Sequence, residues 1–300
     1  MSEPTREQTV GFIGLGMMGY PMATNILKKG HALVAYDIHK PTLDGMRQLG
    51  ARAGSGPADV ASQASIVVSM VDTTAQAEEV ILGPGGLLEG AQRGDVIISM
   101  STIDPGMLRA THEKLAAKGV GLIDAPVSGM QKGAIAGTLK AYVGGDDAVL
   151  EKARPVLKTM TSEIVHFGPI GQGTTMKLIN NMLCQVGWVL CAEALVLGVK
   201  AGLDPKLMVD SILKATGNSV AFEYMAPRVL KRDFDGIRLD ITFKDVELQT
   251  QLAKSLKVPL PMVNLAQQVY QMARAAGLGS EDGVAVVKVY EQLTGVVVQA

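Results

Sequence analysis

Short apolar runs rich in β-branched residues recur through the first half of the chain, each closing on a glycine or a polar residue. Residues 10–14, 32–37, 65–70, 95–100 and 120–124 read as strands, and 17–29, 41–49, 74–82 and 105–118 carry helical spacing between them. Gly30 stands where a helix C′ residue is expected, and Pro41 and Pro105 stand in first turns. Strands of this length alternating with helices predict βαβ units and a parallel sheet. A further strand is expected at 138–143, a helix at 147–160 and a strand at 164–167, before the loop Gly168-Pro169. Beyond it the strand signals stop. Residues 171–201 read as one long helix, 205–216 as another, and the pattern stays helical to residue 294. The expected organisation is an α/β domain over 1–168 and an all-helical domain over 169–300, joined by the long helix.

Composition narrows the function class. A formal net charge of -1 leaves no basic surplus for nucleic acid or for an anionic membrane surface. With 4% aromatics, base-stacking platforms have little raw material. Residues 1–8 are polar and lack the apolar core of a leader. The most apolar stretch, 182–199, is interrupted by Gln185 and Glu193 and reads as a buried helix rather than a span. Cys184 and Cys191 would lie about 10.5 Å apart on that helix, too far for a disulfide and suited to two buried thiols on one face. A cytoplasmic protein acting on small molecules is expected. His31, His39, His112 and His166 show no metal-ligand spacing, so no metal site is expected.

Gly14-Leu15-Gly16-Met17-Met18-Gly19 is a G-x-G-x-x-G run that follows a strand pattern and opens a helix. In that context Gly14 allows a tight turn, Gly16 lets a pyrophosphate approach the backbone, and Gly19 permits close helix packing. The phosphates would lie at the helix N-terminus. Asp37 closes the second strand about 20 residues on, where a carboxylate accepts ribose hydroxyls and repels a 2′-phosphate. NAD is the expected cofactor, with NADP possible because His39 and Lys40 stand nearby.

The turn, extended to Gly11-Phe12-Ile13, resembles the opening of the β-hydroxyacid dehydrogenase family, which includes 3-hydroxyisobutyrate dehydrogenases and tartronate semialdehyde reductases. Three further segments match in order. They are Asp124-Ala125-Pro126-Val127-Ser128-Gly129, then Gly171-Gln172-Gly173 with Lys177 and Asn180-Asn181, then Phe243-Lys244-Asp245. The resemblance implies an N-terminal Rossmann domain, a helical C-terminal domain, and a homodimer or homotetramer with active sites formed between domains. It implies reversible NAD(P)-linked oxidation of a small 3-hydroxy acid.

By the same resemblance Lys177 and Asn181 are the catalytic pair, Ser128 and Gly129 hold the substrate carboxylate, and Gly173 and Lys244 contact the cofactor with Met17, Met18, Val71 and Thr102. A lysine ammonium beside the reacting oxygen can donate a proton and stabilise developing charge. Asn181, four residues on, shares its helix face. Lysine at 177 also argues against an imine reductase or a non-catalytic cofactor-binding module on the same fold. Two positions depart from the family pattern. Met130 replaces a second glycine in the substrate segment and reshapes the pocket, and Val71-Asp72 stands where Leu-Pro is usual. Thr102 is read near the nicotinamide ribose, with an N-cap for the helix at Pro105 as the alternative. Asp245 either orients Lys244 or begins a helix. Phe222, Tyr224, Arg228 and Arg238 are further pocket candidates.

Overall fold

The structure, a computed structural model, describes residues 5–300; of the polar N-terminal stretch, residues 1–4 lie outside the described residues. The chain forms two compact units, the first ending at Lys177 and the second spanning Leu178–Ala300.

The first unit is built on a six-stranded parallel sheet. Its strands are β1 Thr9–Ile13, β2 Ala32–Tyr36, β3 Arg52–Ala53, β4 Ile66–Ser69, β5 Val96–Ser99 and β6 Gly121–Asp124. They run in the order 3-2-1-4-5-6, the doubly wound order of a dinucleotide-binding sheet. Helices α1 Gly19–Lys28, α2 Lys40–Gln48, α3 Pro57–Gln63, α4 Thr74–Leu82, α5 Leu87–Gly90 and α6 Pro105–Ala117 make the crossovers. Alternate side chains feed two cores. Val10, Phe12, Leu33, Val68 and Ile98 enter one, and Ile13, Val34, Val67 and Ile97 the other. Burial on both faces is why these strands read as continuous apolar runs. Ile13 pairs with both Tyr36 and Ser69, so Gly14, Asp37 and Met70 leave the sheet along one edge, where the strand order reverses.

The rest of the first unit departs from the sequence reading. The expected strands near 138–143 and 164–167 form a separate sheet, β7 Val127–Ser128, β8 Leu139–Val143 and β9 Thr161–His166, with β7 antiparallel and β9 parallel to β8. Helices α7 Met130–Ala136 and α8 Asp147–Met160 complete it. The pattern did not single out β3, β7, α3, α5 and α7. Two-residue strands show no alternation, and α7 carries Gly133 at its centre, a poor helix former. Ser128 and Gly129 therefore do not lie in a plain loop: Ser128 pairs with Lys140, and Gly129 caps α7.

Helix α9 Gln172–Lys200 leads into the second unit, with α10 Pro205–Ile212, α11 Val220–Leu230, α12 Leu239–Ser255, α13 Pro261–Ala275 and α14 Val287–Thr294. The composition break lies near Gly168, whereas the compact units divide after Lys177. The first turn of α9 belongs to the first unit because Asp124, at the end of β6, accepts hydrogen bonds from the Gly171 and Thr174 N–H groups. Asp204, Ser219 and Asp282 cap α10, α11 and the 3-10 segment Gly283–Val286.

Trp188, Ala192, Leu195 and Val196 of α9 pack into the second unit's core with Met225, Val246 and Tyr270. By length and composition α9 could cross a membrane, yet this face lines a protein core. It is not buried all round, as the sequence suggested: Leu183, Leu190 and Leu197 are 64–72% exposed. Neither cysteine is in a disulfide, and both are only partly buried. Burial pushes the Cys191 thiol up to about 11, which makes it a poor nucleophile.

Candidate active site

The glycine turn follows β1 directly. Gly14 has φ +90, and a Cβ there would sit 2.2 Å from the Met70 carbonyl oxygen at the end of β4. A Cβ on Gly19 would sit 1.9 Å from the Gly14 oxygen and 3.1 Å from Phe12. Both glycines are thus demanded by backbone contact. Gly16 differs, since a Cβ there meets nothing within 4 Å. Its open side faces no protein, which suits close approach of a ligand. No side chain caps the start of α1; Tyr20 N–H is taken by the Gly16 carbonyl at 3.0 Å and Pro21 has no N–H, so an anion there would be met by the backbone of the turn ahead of the helix and by the helix dipole.

Asp37 is drawn onto this turn: Leu15 N–H donates to its Oδ2 at 2.5 Å and His39 N–H to its Oδ1 at 2.7 Å. A carboxylate offers about four lone-pair sites, so two remain for ribose hydroxyls. Met17 is exposed beside Gly16, whereas Met18 packs against the core. Val71 lies against the turn, its Cγ1 3.2 Å from where a Gly14 Cβ would be, and its N–H donates to Ser101 Oγ at 2.8 Å. Thr102 does not cap α6; Asp104 does, accepting from Gly106 N–H at 2.8 Å. These residues fit a dinucleotide: an open glycine face, an uncapped helix start and a fixed carboxylate share one sheet edge.

Lys177 stands half-buried in the second turn of α9. Gly173, four residues earlier, is pressed onto β8: a Cβ there would sit 2.2 Å from the Tyr142 carbonyl oxygen. Packing thus gives this glycine a reason of its own. Ser128 is half-buried at the end of β7. Gly129 has φ +128 and Met130 φ +56. The methionine therefore holds a left-handed conformation where the family pattern places glycine, a strain of about 1–2 kcal/mol.

Asn181 is one turn beyond Lys177, and within the second unit its amide Nδ2 donates to Asp245 Oδ2 at 2.7 Å. Asp245 is buried in mid-α12 rather than starting a helix. It also accepts from Gln185 Nε2 at 3.2 Å and pairs with Lys244 Nζ at 3.0 Å. One carboxylate thus orients both Asn181 and Lys244. The sequence offered Asp245 as orienting Lys244 or as beginning a helix; its tie to Asn181 spans 64 positions and leaves no local signal.

The other pocket candidates are used by the fold. Phe222 is core. The Tyr224 hydroxyl donates to the fully buried Asp282 at 2.8 Å, and burial beside that carboxylate raises the phenol's pKa. Arg228 lies over the Tyr224 ring and bonds the Asp235 carbonyl and Asp233. Arg238 precedes α12, exposed, with its backbone bridged to Asp282. His166 has a structural place, Nε2 2.7 Å from the Gly145 carbonyl and Nδ1 3.0 Å from Asp147.

Comparisons with known proteins agree with this geometry. Residues 9–168 match the family model of the NAD binding domain of 6-phosphogluconate dehydrogenase. Residues 171–290 match that of the NAD-binding of NADP-dependent 3-hydroxyisobutyrate dehydrogenase. The chain is 42% identical to 2-(hydroxymethyl)glutarate dehydrogenase of Eubacterium barkeri over 289 residues, covering 96% of each. It superposes on the crystal structure of 3-hydroxyisobutyrate dehydrogenase from Salmonella typhimurium with a TM-score of 0.87 at 30% identity, covering 94% of this chain and 100% of that one. An imine reductase of Streptomyces aurantiacus shares the fold alone, at 20% identity and a TM-score of 0.62, covering 94% of this chain and 99% of that one. With both halves of the chain matched, the turn and its carboxylate in place, and lysine at 177, the chain belongs to the β-hydroxyacid dehydrogenase family and is an NAD(P)-dependent oxidoreductase.

Proposed function

We propose that the chain oxidises the primary hydroxyl of a small 3-hydroxy carboxylic acid reversibly, and in the other direction reduces the matching carboxylated semialdehyde. The observation that carries this reading is Lys177, half-buried on α9 one turn before Asn181, whose amide is pinned by Asp245. When bound, the nicotinamide dinucleotide supplies or accepts the hydride. Gly14, Gly16, Gly19 and Asp37 would hold its adenosine diphosphate half, with Met17 and Val71 beside it and Thr102 near the nicotinamide ribose.

In reduction, Lys177 stabilises negative charge on the substrate oxygen and gives it a proton, then regains one from solvent; in oxidation it takes that proton. Asn181, oriented by Asp245, holds the oxygen or the lysine in line. Ser128 and the backbone at Gly129 and Met130 take the substrate carboxylate.

Hydroxymethylglutarate and hydroxyisobutyrate, the compounds in the relatives' names, both carry a hydroxymethyl group on the carbon beside a carboxyl. That shared unit is the proposed substrate feature. The test is initial rates with 2-(hydroxymethyl)glutarate, 3-hydroxyisobutyrate, L-serine and lactate, with NAD and with NADP. Turnover of a hydroxymethyl acid well above lactate is expected. Equal or greater turnover of lactate, a 2-hydroxy acid, sinks the reading.

Asp37 supports a preference for NAD. In Asp37→Asn the ratio of kcat/KM with NADH to that with NADPH is expected to fall about tenfold, as the charge that repels a 2′-phosphate is lost. An unchanged ratio would remove Asp37 from cofactor choice. A homodimer or homotetramer is also proposed, supported by the exposed Leu183, Leu190 and Leu197 spaced by seven along α9. Light scattering that returns a monomer mass at micromolar concentration would exclude it.

A further inference from the structure

The role proposed for Lys177 requires the start of α9 to be held in place, and the structure shows what holds it. Asp124 is the last residue of β6 and is fully buried. Its backbone is fixed by paired bonds with Gly144: its N–H donates to the Gly144 carbonyl at 3.0 Å, and Gly144 N–H donates to its carbonyl at 2.8 Å. Its side chain leaves the strand and takes two of the unpaired donors at the start of α9, accepting from Gly171 N–H at 2.7 Å and Thr174 N–H at 2.5 Å. The helix start is thus held by a carboxylate about 50 positions away, in addition to the local bond from Gln172 N–H to the Pro169 carbonyl at 3.1 Å.

The surroundings are shaped for this contact. A Cβ on Gly144 would lie 2.5 Å from Asp124 Oδ1 and 2.9 Å from the Gln172 nitrogen, so glycine is required for the carboxylate to reach the helix. Gly173 seats the same turn on the Tyr142 carbonyl. Thr174 and Lys177 are three residues apart, so they share a helix face and differ by about 4.5 Å along the axis. In the other direction along the chain, Asp124 opens the segment that ends at Ser128 and Gly129. A residue needed only for packing would be apolar, because burying a carboxylate costs free energy that two N–H donors repay only in part. Burial indeed pushes the Asp124 carboxyl above its usual value against the pull of those two bonds.

Resting on the reading of Lys177 above, we propose that Asp124 is a positioning residue for the reaction. Its carboxylate fixes the first turn of α9 to the end of β6 and so sets the place of the Lys177 ammonium relative to the Ser128–Gly129 segment. Asparagine has the same size but presents one acceptor and one donor, so one of the two N–H groups faces an amide hydrogen-bond donor and is expelled. The helix start shifts, and misplacement of about 1 Å lowers a reaction rate by about 100-fold.

The experiment compares wild type, Asp124→Asn, Asp124→Ser and Lys177→Ala by steady-state kinetics, by NADH binding through fluorescence, and by melting temperature. Asp124→Ser keeps one acceptor and guards against a variant that does not fold. Expected for the Asp124 variants is a 10- to 100-fold loss of kcat at 25 °C in folded protein, with NADH affinity and substrate KM within threefold. A purely structural role would lower the melting temperature and leave kcat of the folded enzyme within twofold, and that result overturns the proposal. Lys177→Ala separates the two levels. If it loses activity while Asp124→Asn keeps wild-type kcat, the positioning role fails alone. If Lys177→Ala itself keeps wild-type kcat, the role of Lys177 fails and the positioning role with it.

Discussion

Lys177→Ala is expected to lower kcat by about 1,000-fold, within the range that general acid–base catalysis supplies. That factor corresponds to about 4 kcal/mol of transition-state stabilisation. The loss is not expected to be masked by another group. The Asn181 amide is committed to Asp245, and Lys244 is paired with the same carboxylate. An amide is in any case no acid near neutral pH. Folding should be nearly indifferent, because alanine is the best helix former and Lys177 is only half-buried. The melting temperature and NADH affinity are therefore expected to stay close to wild type while turnover collapses. Retention of more than a tenth of wild-type kcat would assign the proton to another donor.

The second large effect separates two glycines of the same turn. Gly14→Ala places a Cβ at φ +90 and 2.2 Å from a backbone oxygen of β4. Backbone strain of this kind costs about 1–3 kcal/mol before the clash is counted. A fall of roughly 5 °C or more in melting temperature is expected, since 1 kcal/mol moves a domain of this size by about 2–4 °C. NADH affinity should fall by more than tenfold, because the turn that presents the N–H groups is displaced. Gly16→Ala has the opposite profile. Its Cβ meets nothing within 4 Å, so the melting temperature holds or rises slightly. Its methyl group nevertheless fills the space through which a pyrophosphate would approach, and NADH affinity is expected to fall about tenfold or more. Thermal melts and NADH titrations of both variants check this. Wild-type NADH affinity in Gly16→Ala would show that the phosphates lie elsewhere.

The sequence by itself determined the elements whose signals are local. The apolar runs at β1, β2, β4, β5 and β6 announced the sheet because strands buried on both faces must be continuously apolar. The limits of α4 and α8 follow from helical spacing that begins and ends with it. The glycine turn and Asp37 were legible because the chain places them at fixed offsets from β1 and β2. Lys177 and Asn181 share a face by helix geometry alone.

What the tertiary structure decided rests on contacts between distant positions. The carboxylate of Asp124 caps a helix that begins 48 residues later, and Asp245 orients Asn181 from 64 residues away. Neither tie leaves a local signal in the sequence, although both residues fall in segments that the family resemblance singles out. Tyr224 and Arg228 read as pocket candidates, yet both turn to the buried Asp282 inside the second unit. β8 and β9 were legible as strands, but β7 and α7 were not, because a two-residue strand and a seven-residue helix hold too few residues to show a period, and nothing local said that β8 and β9 form a sheet of their own. Met130 occupies a left-handed backbone conformation that its own side chain disfavours, so only the surrounding fold can impose it. Local periodicity fixes which segments become helices and strands; which polar groups end up buried against each other is settled only when those segments pack, because an unpaired buried donor or carboxylate costs more than any local preference can offset.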